Sequence, residues 1–274
     1  MSKQPTTYIS AEPISFTAYL KEAYKKRFLV STFAKRGIKI KYAQTFLGVT
    51  WSLLQPLTGL VIFTFFFDFL ISFDELEVAY PIYAFTGITI WNYFSYIFST
   101  GSTGLREAAD LIQKFSFPKV LFILSKAVIG FFEFLMALGV CIILLFLFGE
   151  GIGIQVLLLP LVIAGTALTG LGVALIVAAA TVRFRDAYHI VPYLVNFGIW
   201  FTPIFFPTYI FPEILRKALW FNPMAGYAEF FRWSLLGGNA PDWQYIFGMG
   251  LSILIFVIGL IYMKRTEDKI VDYI

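Results

Sequence analysis

Charged side chains are scarce in this sequence. Asp, Glu, Lys and Arg make up 14% of its 274 residues, against about 25% in soluble domains. With 59% hydrophobic residues, that excludes a soluble fold and makes the chain an integral membrane protein. Cysteine is nearly missing too. Cys141 stands alone in an apolar run, so an intrachain disulfide is impossible. A single histidine, His189, excludes an all-histidine metal site, and no metal site is expected. There is no G-x-x-x-x-G-K-[ST] phosphate loop, no H-E-x-x-H and no C-x-x-C. If ATP drives this protein, another chain must hydrolyse it. The opening MSKQPTTYISAEP is polar, so a cleavable signal peptide is not expected. Repeats, linkers and low-complexity segments are absent, and residues 1–274 read as one domain.

What the chain has instead is long apolar runs. Six spans of the length a bilayer core requires, about 20 residues, are expected near Phe46–Ile71, Pro81–Thr103, Val120–Phe148, Gln155–Val182, Ile190–Phe206 and Tyr245–Met263. The fold class is therefore all-α. Lys and Arg crowd the segment before the first span, the second and fourth connections and the tail. The loops at Ser72–Tyr80 and Gly149–Ile154 have neither. This asymmetry places both termini in the cytoplasm and explains the net charge of +4 without a nucleic-acid partner.

The segment Val182–Gly237 is the most informative. It opens on a charged cluster, passes Pro192, Pro203 and Pro207, and ends half-polar and aromatic. Irregular backbone at membrane depth survives only where protein or a water-filled cavity covers it, so the segment suggests a conduit. Pro212 and the Asn222–Pro223 step mark two short helices joined by a turn, a re-entrant hairpin before the last span. Glu229 and Arg232, spaced i, i+3, are placed for an ion pair. Tyr227 opens the same helical stretch. At the other end, residues 14–41 read as a basic amphipathic helix with Phe16, Tyr19, Leu20, Ala23 and Tyr24 on one face, lying on the cytoplasmic leaflet. A charged flank that merely sets topology is the alternative.

Glu133 is the sharpest single residue. It lies 13 residues into the third span, about 20 Å along the helix axis, with Lys126 two turns before it on the same face. A mid-membrane carboxylate marks a functional site or a structural bond to a neighbouring helix. Aromatics cluster in the spans, among them Phe66, Trp91, Phe94, Trp200 and Phe201. Rings of this kind can hold the apolar faces of sugars loosely. Most such residues belong instead to lipid-facing surface or interfacial belts. Gly165, Thr169, Gly170 and Gly172 suit close helix packing.

Several motifs then fall in order. KYAQTFLGVTWSLLQPL (Lys41–Leu57), GITIWNYFS (Gly87–Ser95), LIQKFSFPK (Leu111–Lys119), VRFRD (Val182–Asp186), NPMAGYAEFFRWSLLG (Asn222–Gly237) and the final DYI together resemble the permease subunits of ABC-2 type polysaccharide exporters. The resemblance covers nearly the whole chain. It implies a homodimer working with two ATP-binding ABC subunits, which would carry the ATP and Mg; no cofactor is implied for this chain. It implies export of an undecaprenyl-diphosphate-linked glycan such as O-antigen, teichoic acid or capsule, entering laterally from the membrane lipid. Residues 104–119, with Leu111, Lys114, Phe117 and Lys119, would couple to the ATPase. Residues 208–240 would form the extracytoplasmic gate. Lys35, Arg36, Lys39 and Lys41 would suit the diphosphate, or equally anionic lipid and topology. A drug or small-lipid efflux permease is the competing reading. A non-transporting scaffold or a glycan-assembly enzyme is a third. The re-entrant hairpin argues against the scaffold, and the lack of an acid/base or metal cluster argues against the enzyme.

Overall fold

A computed structural model describes residues 15–43, 45–65, 76 and 78–273. The described chain is helical, with no strand among those residues. The helices are α1 (Phe16–Lys25), α2 (Phe28–Tyr42), α3 (Trp51–Phe63), α4 (Tyr80–Glu107), α5 (Ala109–Lys114), α6 (Val120–Leu147), α7 (Leu159–Arg183), α8 (Ile190–Gly198), α9 (Glu213–Leu219), α10 (Pro223–Leu236) and α11 (Tyr245–Tyr273).

Local chemistry sets many of these boundaries. Ser15 caps α1 by accepting from the Ala18 N–H. Pro81 and Pro160 sit in the first turns of α4 and α7, where the missing N–H costs nothing. Asn222 caps α10 by accepting from the Met224 N–H at 3.0 Å, with Pro223 following. The Asn222 amide also donates to the Phe201 carbonyl at 3.0 Å and to Thr202 Oγ1 at 3.3 Å. Replacing Asn222 by Ala removes cap and tether together. The expected loss is about 1 kcal/mol, read as a lower thermal midpoint of the detergent-solubilised protein.

Among the described residues, three helices are long and apolar enough to cross a membrane: Val120–Leu147, Ile154–Thr181 and Tyr245–Glu267. α4 equals α6 at 28 residues, but Thr, Ser, Asn and Tyr dilute its apolar content. α3 and α8 are short, at 13 and 9 residues. α4 occupies the middle of the bundle, with α6 and α7 against it and α10, α3 and α8 at its flanks. α11 packs along α7. There the backbones nearly touch, because a Cβ on Gly172 would lie 2.8 Å from the Phe256 nitrogen. Thr169 donates to Ser252 across the same seam at 2.8 Å.

The basic lead-in is two helices rather than one. The break falls at Lys26 and Arg27, where the Leu29 and Val30 N–H groups donate short-range bonds to the Lys26 and Arg27 carbonyls. Lys26, half-exposed, donates to the Ser116 carbonyl at 2.9 Å and to Glu22 of α1 at 2.8 Å. Of the apolar face expected over 14–41, Tyr19 is buried while Leu20 and Tyr24 are exposed. α2 then climbs beside α6 in the same direction. Phe33 meets Phe117 and Phe122, Gly37 meets Ile129, and Lys41 meets Glu133. This register carries a basic side chain well along the bundle.

Candidate functional site

α2, α3, α4 and α6, with Val195 of α8, line a half-open cavity of about 520 Å³. Its floor is one face of α4. Thr89, Asn92, Tyr96, Ser99 and Thr100 recur at helical spacing, with Tyr93 and Ser95 beside them. α6 contributes Gly130, Glu133 and Ala137, α3 contributes Trp51, Ser52 and Pro56, and α2 contributes Lys41 and Tyr42. Gly48, at φ +53°, takes the left-handed turn that brings α3 round to the cavity, in the Leu47–Gly48 pair.

The charge in this cavity is a compact cluster. Lys41 Nζ lies 2.5 Å from Glu133 Oε1, and the Tyr42 hydroxyl donates to the same oxygen at 2.9 Å. Lys41 also stands 4.4 Å over the Tyr96 ring. Burial and the adjacent Glu133 carboxylate push the Tyr42 hydroxyl up to about 12, so it remains a hydrogen-bond donor. Ser95 and Thr100 donate to carbonyls of their own helix, and their oxygens retain lone pairs for a guest. The cavity thus offers one cation held by one anion, a row of hydroxyls, an amide and aromatic faces. That set suits a polar, polyhydroxylated or anionic guest.

At the opposite end of α4, Arg232 forms a second cluster. Its Nη2 donates to the Ile204 carbonyl at 2.9 Å, its Nε to the Tyr83 carbonyl at 3.3 Å and its Nη1 to Glu229 at 2.9 Å. The guanidinium lies 3.8 Å over the Tyr83 ring. The ion pair read from the i, i+3 spacing therefore has additional partners on α4 and in the proline-rich stretch. Tyr83 and Tyr80 hydroxyls donate to carbonyls of that stretch as well. These bonds supply the cover that irregular backbone needs.

A third cluster lies at the basic end. Glu267 of α11 accepts from the Tyr19 hydroxyl at 2.5 Å and from the Lys119 N–H at 3.0 Å, with Lys119 Nζ at 3.4 Å. Burial, with Glu267 beside it, pushes the Tyr19 hydroxyl up, so it too is a donor.

The residues singled out from sequence are dispersed among these places. Lys41 and Glu133 meet in the cavity, 92 positions apart. Lys126, the nearer cation along the chain, pairs with Glu107 at 2.7 Å instead. Lys35, Arg36 and Lys39 are exposed on α2, outside the cavity. Trp91 and Phe94 are buried in the core, 5.2 Å apart, on the face of α4 away from the cavity. Trp200 and Phe201 are exposed beyond α8. Tyr227 is buried and donates to the Met249 carbonyl at 3.3 Å. Phe117 and Lys119 are buried, Leu111 is half-buried and Lys114 is exposed. Phe66 lies outside the described residues. Asn92, Ser99, Tyr42 and Glu267 were not singled out, and Tyr19 was read only as part of an apolar helix face. The polar stripe on α4 was detectable as a period-3.6 pattern, but Glu267, in a charged tail, gave no signal.

Comparison with known proteins agrees with this architecture. Residues 29–236 match the family model described as ABC-2 type transporter. The curated relatives include an O-antigen export system permease protein RfbA of Myxococcus xanthus. It is 24% identical over 91% of this chain and 96% of its own length. A protein of the same name from Klebsiella pneumoniae is 23% identical over 89% and 94%, and a second one 21% over the same shares. The chain belongs to the ABC-2 type transporter family, whose members are transmembrane subunits of ABC transporters working with an ATP-binding partner.

Proposed function

We propose that this chain is the permease subunit of an exporter of lipid-linked polysaccharide, with O-antigen as the first candidate cargo. The observation that carries this reading is the hydroxyl-lined cavity at the Lys41–Glu133 pair. It occurs in a chain whose relatives along nine-tenths of its length are named as O-antigen export permeases. On this reading the chain spans the cytoplasmic membrane six times with both termini inside. It works as a homodimer with two ATP-binding subunits, which carry ATP and Mg. Residues 104–119 contact those subunits, and residues 208–240 with the Arg232 cluster form the outer gate. Lys41 meets the undecaprenyl-diphosphate headgroup at the cavity, and sugar rings pass over the aromatic and hydroxyl surfaces. Teichoic acid and capsule are alternative cargoes of the same chemistry. A drug or small-lipid efflux permease is the second reading, favoured by the large exposed apolar surface of α8 and its extension, at Ile190, Leu194, Phe197 and Phe201.

Depletion of the protein decides between them. The export reading expects lipid-linked glycan to accumulate on the cytoplasmic side while surface polysaccharide is lost. Normal surface glycan in a cell without a second exporter overturns it. Within the same assay, Lys41→Gln lowers export about tenfold or more, the loss of one hydrogen bond to a charged group at about 1.5–3 kcal/mol. An unchanged rate removes Lys41 from headgroup contact.

A further inference from the structure

The Glu267 carboxylate joins three elements that the chain keeps far apart. Tyr19 belongs to the lead-in, Lys119 closes the turn after α5, and Glu267 lies near the far end of the last long helix. The ion pair is largely buried, with side-chain exposures of 11% for Lys119 and 10% for Glu267. In such surroundings a carboxylate cannot trade its donors for water cheaply. Two further contacts fasten the same corner: Lys26 to the Ser116 carbonyl, and Phe33 against Phe117. The lead-in, the 115–119 turn and the end of α11 are therefore held as one unit.

α11 in turn is fixed to α7. At Gly172 and Gly259 the backbones meet with no side chain of those residues between them, and the Thr169–Ser252 bond pins the register. A displacement applied at Glu267 moves the pair as a rigid body.

We infer that Glu267 is a positioning residue through which displacement of the 104–119 segment is passed to the α7–α11 pair. This rests on the reading that an ATP-binding partner docks on 104–119. α6 follows that segment directly in the chain and would receive any push covalently. α11 has no such link, and among the described residues its hydrogen bonds to this corner run through Glu267.

The test uses the permease assembled with its ATP-binding partner in vesicles. One cysteine is introduced by Phe247→Cys, at an exposed position early in α11, in a Cys141→Ala background. Its maleimide labelling rate is compared without nucleotide and after trapping with ATP and vanadate. In the otherwise native protein the rate is expected to change on trapping. Tyr19→Phe keeps the Glu267–Lys119 bonds, and Glu267→Gln keeps an acceptor for the Lys119 N–H. In Glu267→Gln, which loses the charge paired with Lys119 Nζ, the change is expected to shrink by about fivefold or more, the size of an ordinary coupling between sites. In Tyr19→Phe, with the Lys119 link intact, it is expected to stay near native. ATP hydrolysis per assembled complex stays near native. A full-sized change in Glu267→Gln overturns the inference, and so does an equal shrinkage in Tyr19→Phe or no change in the native background. A merely structural role lowers the yield of complex and leaves the labelling change per complex intact, which also overturns it. Cargo is not needed, so an error about the glycan leaves the result readable. Partner protection of a cysteine introduced by Lys114→Cys checks the docking surface separately. An unprotected cysteine there fails the docking reading, whatever α11 does.

Discussion

Arg232→Ala is expected to cost about 3–5 kcal/mol, the penalty for removing one partner of a buried ion pair, and to leave little folded protein in the membrane. Arg232 is 4% exposed, so water cannot take over its role. Its removal strands the Glu229 carboxylate and takes one donor each from the Tyr83 and Ile204 carbonyls. It also empties the space over the Tyr83 ring. The affected groups lie on α4, on α10 and in the stretch between α8 and α9, so three elements loosen at once. Lysine is no substitute, because its compact ammonium cannot present the planar fork that reaches both carbonyls and the carboxylate. The measurement is the thermal midpoint and yield of monodisperse protein in detergent. A paired Arg232→Met, Glu229→Leu variant should lose less than Arg232→Ala alone, because it leaves no buried charge behind. If the two variants were equally damaged, the loss would come from packing rather than from stranded charge.

Gly172→Leu is expected to separate α11 from α7. Even the first carbon of a side chain there would lie 2.8 Å from the Phe256 nitrogen, 2.9 Å from its Cα and 3.0 Å from the Ile255 carbonyl carbon. All of these are backbone atoms, which cannot rotate aside. A Cβ on Gly259 would likewise lie 2.7 Å from the Gly172 oxygen. Overpacking costs about 1–3 kcal/mol, and occasionally more. The upper end is expected, because opening the seam also breaks the Thr169–Ser252 bond. Gly250→Ala is the control. It lies in α11, the other helix of the seam, with nothing within 4 Å of its Cβ, and alanine there gains helix propensity worth up to about 1 kcal/mol. The same thermal midpoint should fall for the first substitution and hold or rise for the second.

Helix positions were readable because their signals are local. Asn222 and Pro223 announce α10 wherever the chain folds, and the i, i+3 spacing of Glu229 and Arg232 survives into the structure as an ion pair. Long-range partners left no such mark. Nothing near Arg232 in sequence names Tyr83, 149 positions away, and nothing near Glu133 names Lys41. Proximity along the chain pointed instead to Lys126, which Glu107 holds after the turn between α4 and α6. α4 shows the same limit. Its aromatic residues attract attention by their number, yet Trp91 and Phe94 are core, and Asn92 and Ser99 line the cavity. Both faces repeat at the same period, and only the neighbours decide which one is filled. The break in the lead-in was invisible because the contact beside it, from Lys26 to the Ser116 carbonyl, joins residues 90 positions apart.

The central place of α4 bears on how the protein is made. α4 is the long helix with the most diluted apolar content, and its Thr, Ser, Asn and Tyr side chains are covered mainly by α6 and α7. Both of these emerge from the ribosome after it. Polar residues near the middle of a helix weigh against its release into lipid, so α4 on its own is a poor candidate for early partitioning. On the six-span reading, the insertion machinery has to retain α4 until its later neighbours arrive. A nascent chain halted before α7 would hold its second span at the edge of the bilayer, and the pause between synthesis and assembly would be longest there.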